Sequence, residues 1–202
     1  IATLQQQNGR LVLTFTGEVS QADAQQVLRQ LDYRNTSQDP TRNGAEVKMQ
    51  VVFLDGDGNR AVLNVAVTLV PVNDPAILDS TVLNPTLPDL GAPVKLFDNT
   101  RIDTIEAGQL VGQVILTLDA LKQHDVIVVQ GQKIYLDTLD SGTLPNGLQY
   151  QVRQENGQTV LTLYVMRSAS DTAALIDSLA FYNTGSDNSG SRQIALSIRE
   201  NV

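Results

Sequence analysis

Phe53-Leu-Asp-Gly-Asp-Gly-Asn59-Arg-Ala61-Val-Leu-Asn-Val-Ala-Val-Thr-Leu-Val70-Pro71-Val-Asn73-Asp74-Pro75 holds an acidic loop, a strand and a chain junction in one run. The loop sets side-chain oxygens of Asp55, Asp57 and Asn59 at alternate positions, with glycines between them that let the backbone turn sharply. Across Ala61–Val70 the apolar side chains of Val62, Leu63, Val65, Val67 and Leu69 fall mostly at period two, the pattern of a half-buried strand. Pro71 and Pro75 end that strand, because proline donates nothing to a ladder, and they bracket Asn73 and Asp74. A strand of about ten residues spans roughly 33 Å. The acidic loop and the junction are therefore expected at opposite ends of one sandwich.

Working outward, the chain repeats itself. Asn8-Gly-Arg-Leu-Val12-Leu-Thr14 returns as Asn156-Gly-Gln-Thr-Val160-Leu-Thr162, and Ser20-Gln-Ala-Asp23 as Ser168-Ala-Ser-Asp171. Leu31-Asp-Tyr-Arg-Asn35-Thr36 returns as Leu179-Ala-Phe-Tyr-Asn183-Thr184, and after a small gap Val47, Met49 and Val51 match Ile194, Leu196 and Ile198. Repetition in this order marks a duplicated structural unit. In each copy a turn signal (Asn-Gly) follows one strand and precedes another. A serine N-cap then opens a short helix with an acid in its first turn, as the helix dipole prefers. The repeat predicts equivalent helices over Ser20–Leu31 and Ser168–Leu179 that bury the same apolar stripe, each followed by a strand, the first at Asp32–Asn35.

Further strands are expected at Glu46–Leu54, Ile77–Leu83, Val94–Phe97, Leu110–Leu118, Val126–Gln130 and Lys133–Asp137. A hairpin of Leu148–Arg153 with Thr159–Val165 is expected across Asn156-Gly157. Many short strands with regularly spaced turns indicate an all-β sandwich. The first copy has nothing matching Ile77–Gln154, and the second has no counterpart of the Ala61–Val70 strand. Residues 1–74 thus read as the C-terminal part of a first module and 75–202 as a second module lacking its last strand. The start at Ile1-Ala2, without Met or signal peptide, is expected of a piece of a longer precursor.

Composition narrows the function classes. With 22 acidic against 14 basic residues the net charge is −8, which disfavours nucleic acid and anionic membrane surfaces and suits divalent cations. Cysteine is absent, which removes disulfides, thiolate chemistry and Cys-based zinc sites. No apolar run is long enough for membrane insertion as a helix. Aromatics are 4% of the chain, too few for a sugar-stacking cleft. The single histidine, His124, lies in a polar Lys122–Asp125 turn without a nucleophile-elbow sequence, so no Ser-His-Asp set is expected.

Asp55-Gly-Asp57-Gly-Asn59, with its following V-x-V pattern and Val72-Asn73-Asp74-Pro75, resembles the end of a cadherin-like module in the giant tandem-repeat surface adhesins of bacteria, RTX-type adhesins among them. Asp89-Leu-Gly91, Leu96-Phe97 and Ile105-Glu-Ala-Gly-Gln109 are similar to the start of such a module. Tyr33-Arg-Asn35-Thr36-Ser37-Gln-Asp39-Pro40 is similar to a further family motif. The resemblance covers nearly the whole chain. It implies tandem cadherin/Ig-like Greek-key β-sandwiches, each with one short helix, on the bacterial cell surface. It also implies calcium at module junctions. Carried over by position, Asn73 and Asp74 are linker ligands, and Asp89 stands in the place of an early glutamate, one methylene shorter.

Asp55, Asp57 and Asn59 are candidate calcium ligands too, since that ion takes six to eight oxygens, or they form a polar hairpin turn. Asn73 and Asp74 equally fit a linker whose side chains cap their own backbone. Asp98, Asn99, Asp103 and Glu106 read as a solvated acidic rim. The chain is thus expected to be a non-enzymatic, extracellular spacer or scaffold whose partners are neighbouring modules or copies of itself, with a cell-surface or matrix ligand at its far end. The alternatives are a ligand-binding adhesin head of the same fold and a filament subunit completed by strand addition.

Overall fold

A computed structural model describes residues 2–8, 10–15, 18–87, 91–185 and 189–201. They form two compact units, Ile1–Ser37 and Gln38–Val202. The repeat boundary near Pro75 is a property of the sequence and lies inside the second unit.

The first unit is a hairpin of β1 (Ala2–Gln7) and β2 (Arg10–Phe15), followed by α1 (Gln21–Leu28). Gln7 pairs with Arg10, and Asn8 takes φ +49°, the left-handed conformation common where a hairpin reverses. Ser20 Oγ accepts from the Asp23 amide at 3.2 Å and donates to the Asp23 carboxylate at 2.6 Å, closing the N-terminus of α1.

The second unit opens with β3 (Glu46–Leu54) and β4 (Arg60–Thr68), an antiparallel pair of its own. Then come β5 (Ile77–Val82), β6 (Val94–Lys95), β7 (Phe97–Asp103), β8 (Val111–Asp119), β9 (Asp125–Val129) and β10 (Gln132–Tyr135). They are followed by β11 (Ser141–Thr143), β12 (Gln149–Glu155), β13 (Gln158–Arg167), α2 (Ala169–Asp177), β14 (Ala180–Asn183) and β15 (Gln193–Glu200). A five-stranded sheet, β11-β12-β13-β8-β15, faces a four-stranded one, β10-β9-β14-β6, and β5 pairs with β7 alongside. The fold is an all-β sandwich with antiparallel sheets. Its core is aliphatic: Leu116, Leu118, Leu161 and Leu163 from one sheet meet Ile127, Val129 and Ile134 from the other, with Leu175, Ile176 and Leu179 around α2. A chain without tryptophan fills its interior with β-branched and leucine side chains of matching volume.

The second copy repeats the first copy's local chemistry. Glu155 pairs with Gln158 across Asn156-Gly157, with φ +52° and +82°. Ser168 Oγ accepts from the Asp171 amide at 3.1 Å and donates to its carboxylate at 2.8 Å. Asn35 and Asn183 each accept from the amide two residues on, Ser37 at 2.8 Å and Gly185 at 2.7 Å. Burial does not repeat. α2 buries Thr172, Ala173, Leu175 and Ile176 against β7, β8 and β13, whereas α1 buries none of its residues. The expected strand at Asp32–Asn35 does not form, although its counterpart is β14. β14 is held between β9 and β6, and the first copy has no sequence corresponding to either. A strand exists only where a neighbour receives its ladder.

Removing the α2 cap, Ser168→Ala, is expected to destabilise the second unit by about 0.5–2 kcal/mol. This would be read as a lower urea midpoint at unchanged slope.

One ion pair crosses the sandwich interior. Asp125 is fully buried and receives Arg192 Nε at 2.9 Å and Nη2 at 3.1 Å, the Asn183 amide at 2.6 Å and the Lys122 backbone amide at 2.7 Å. Nothing in the spacing of these residues announces the network.

Candidate functional site

The acidic loop is the tip of the β3–β4 hairpin. Asp55 Oδ1 accepts from the amides of Asp57 (3.0 Å) and Asn59 (2.8 Å), and Oδ2 accepts from the Asn59 side chain at 2.8 Å. Those bonds, the Asn59 side-chain amide foremost, hold the Asp55 carboxyl below the ordinary range. Gly58, at φ +84°, completes the turn. The Asp55 carboxylate thus serves its own hairpin, as the turn reading expects.

Asn73 and Asp74 follow β4, which with β3 forms a two-stranded sheet of its own rather than the strand of a sandwich that was expected, and they meet the loop between β7 and β8. Glu106 Oε1 accepts from the Asp74 amide at 2.9 Å. One end of the Gln109 amide lies 2.5 Å from Asn73 Oδ1, and the other lies 2.8 Å from Glu106 Oε2 and 3.2 Å from the Thr104 carbonyl. Turned so that its nitrogen donates to Glu106 Oε2 and the Thr104 carbonyl, the Gln109 amide presents its oxygen to the Asn73 side-chain amide, which donates in turn.

Asp39 adds a second tie to the same loop. Its buried carboxylate accepts from the Ala107 amide at 3.3 Å, Arg42 Nε at 3.3 Å and Thr41 Oγ1 at 3.3 Å. Burial pushes this carboxyl up, but the Ala107 amide, Arg42 and Thr41 together outweigh it and hold it below the ordinary range. Arg42 also donates to the Ile105 carbonyl at 3.2 Å, while Asp103 Oδ1 accepts from the Ile105 amide at 2.9 Å. Ile105 itself sits at φ +59°. That is an outlier for a β-branched residue, which costs on the order of 1–3 kcal/mol and persists only where its surroundings fix it. Here Arg42 and Asp103 hold both polar groups of the strained residue.

The expected acidic rim therefore divides. Asp98 pairs with Lys95 at 2.5 Å, whereas Asp103 and Glu106 belong to the junction. Glu106, Asp103, Gln109, Asp39 and Arg42 were not among the expected site residues, although Ile105–Gln109 and Asp39-Pro40 lie inside motifs that carry the resemblance. The missing signal was spatial: 63 residues separate Arg42 from Ile105 in the chain. Asp89 lies outside the described residues. His124 is a turn residue at φ +68° whose amide donates to Asp137 at 3.1 Å.

Among the described residues no three acidic or histidine side chains lie close enough together to form a metal-binding group. The donors at the junction are carboxylate, amide and backbone carbonyl oxygens, the class that calcium takes. A concavity of about 510 Å³ is an open groove between β7 and the start of α2, lined by Thr100, Arg101, Thr104, Gln109, Ser168 and Ser170 among others. No protein-family model, curated protein or solved structure matches this chain.

Proposed function

We propose that this chain is a non-enzymatic, extracellular structural module of a cadherin-like bacterial surface adhesin, which spaces or presents a binding region and is stiffened by calcium. The observation that carries this reading is the contact of Asn73-Asp74 with the Thr104–Gln109 loop, where the Asp74 amide, the Glu106 carboxylate and the Gln109 and Asn73 side chains meet beside two hydrogen-bonded ties from Asp39 and Arg42. A cation there would neutralise Glu106 and fix the junction against bending. Net charge −8 and the absence of cysteine fit the same role, since ions would take the place of disulfides as staples. Among the described residues no helix is long and apolar enough to cross a membrane. The partners on this reading are neighbouring modules or further copies of the chain, with a cell-surface or matrix ligand beyond them.

Calcium in hundredfold excess over Kd is expected to add about 2.7 kcal/mol to the folded state, and EDTA should reverse it. Glu106→Gln and Asp74→Ala should each remove part of the increment, while Asp55→Asn, at the hairpin tip, should leave it intact. Calorimetric melting with and without millimolar calcium checks this. A melting temperature indifferent to both calcium and EDTA would end the junction-site reading.

A further inference from the structure

The β3–β4 hairpin has two roots, and both rest on one loop. Ahead of β3, Asp39 accepts from the Ala107 amide and Arg42 donates to the Ile105 carbonyl. Beyond β4, the Asp74 amide donates to Glu106. Among the described residues 18–87, Asp39 alone is buried. Enclosing a carboxylate is costly unless donors meet it, and one of the donors that meet this one belongs to the loop. The anchor of the first root is therefore a charged group whose burial depends on the loop.

Ile105 is the strained point of that loop. Its side chain is buried, yet it does not belong to the main core, so core packing does not impose its φ of +59°. The bonds at its own peptide groups do, Arg42 Nη2 donating to its carbonyl at 3.2 Å and the Asp103 carboxylate accepting from its amide at 2.9 Å. Left to itself, a β-branched residue is disfavoured in this region by about tenfold or more. We propose that Asp39 and Arg42 form a strap that holds the Thr104–Gln109 loop in a strained state and thereby positions Glu106 for Asp74. With the strap closed, Ile105 keeps its positive φ and Glu106 faces the Asp74 amide. With the strap open, Ile105 returns to the β region, a change of more than about 100° in φ, and Glu106 leaves Asp74. Both roots of the hairpin then come loose together, although only the first has lost its own partner. Asp39 and Arg42 thus act on the second root through Ile105. The strap involves no ion, so it goes beyond the calcium-stiffened spacer and holds whether or not calcium binds.

Hydrogen exchange of the full chain at neutral pH, in EDTA, tests this. Asp39→Ala with Arg42→Ala opens the strap. It is expected to speed exchange of the Asp74 amide by about tenfold or more, with the amides of β8 and β13 unchanged. Glycine takes positive φ freely, so Ile105→Gly removes the strain. In that background the same pair of substitutions should alter Asp74 exchange by less than about threefold. Ile105→Asn, which also tolerates the left-handed region, repeats the comparison should glycine loosen the loop. An Asp74 amide indifferent to opening the strap would overturn the proposal. So would equal acceleration in the Ile105→Gly and Ile105→Asn backgrounds, because the strap would then be a docking contact that holds no strain. Faster exchange throughout β8 and β13 would overturn it too, since the ties would then support the whole sandwich. Calcium-dependent melting is read separately, so either reading can fail while the other stands.

Discussion

Replacing Asp125 by Ala is expected to destabilise the Gln38–Val202 unit by about 3–5 kcal/mol, the cost of breaking a buried ion pair on one side. The carboxylate has no exposed surface, and its partner Arg192 has a side chain only 7% exposed. Deletion leaves a guanidinium enclosed without its counter-charge, and it also removes the acceptor for the Asn183 side-chain and Lys122 backbone donors. Each such orphan adds its own desolvation penalty. For a unit of this size about 2–4 °C is lost per kcal/mol, so the melting temperature should fall by roughly 6–20 °C. The pair as a whole is worth less than its halves suggest, since paired charges also had to leave water. Asp125→Ala with Arg192→Met should therefore recover much of the loss. A drop of less than about 1 kcal/mol would mean that water reaches the pair and that it behaves as a surface contact.

The second large effect compares two positions that the repeat makes equivalent. Leu179→Ala is expected to cost about 2–5 kcal/mol, because Leu179 is fully enclosed beside Leu175 and Ile176 in the core. Leu31→Ala, at the matching place in the first copy, should change stability by no more than about 0.5 kcal/mol, since that side chain is 54% exposed. Denaturant unfolding of both variants checks the contrast. Equal losses would show that the first copy possesses a core of its own around α1, and the account of why Asp32–Asn35 forms no strand would then fall.

Local sequence was a reliable guide wherever the decisive interaction spans a few residues. Asn8-Gly9 and Asn156-Gly157 gave their hairpins, Ser20 and Ser168 their caps, and Glu46–Leu54 its strand, because a turn dihedral, an orphan amide or a period-two face is set by neighbours in the chain. The strand between Asp55 and Asn73 followed from the period-two apolar pattern. The duplicated motifs likewise match β3 to β15, since Val47, Met49 and Val51 recur as Ile194, Leu196 and Ile198.

What only the tertiary structure decided is which of those local preferences found partners. Asp32–Asn35 and Ala180–Asn183 belong to the same motif, yet only the second has β9 and β6 to bond. The junction joins Asp39 to Ala107 and Asp74 to Glu106, and the core pair joins Asp125 to Arg192, across 68, 32 and 67 residues of chain. No periodicity encodes such meetings. Sequence alone thus determined the all-β class, the duplication, the caps and the turns. The folded chain decided burial, the split of the acidic rim and the residues of the junction. The reason is that a carboxylate's role depends on which donors folding brings to it, and these donors lie far away along the chain.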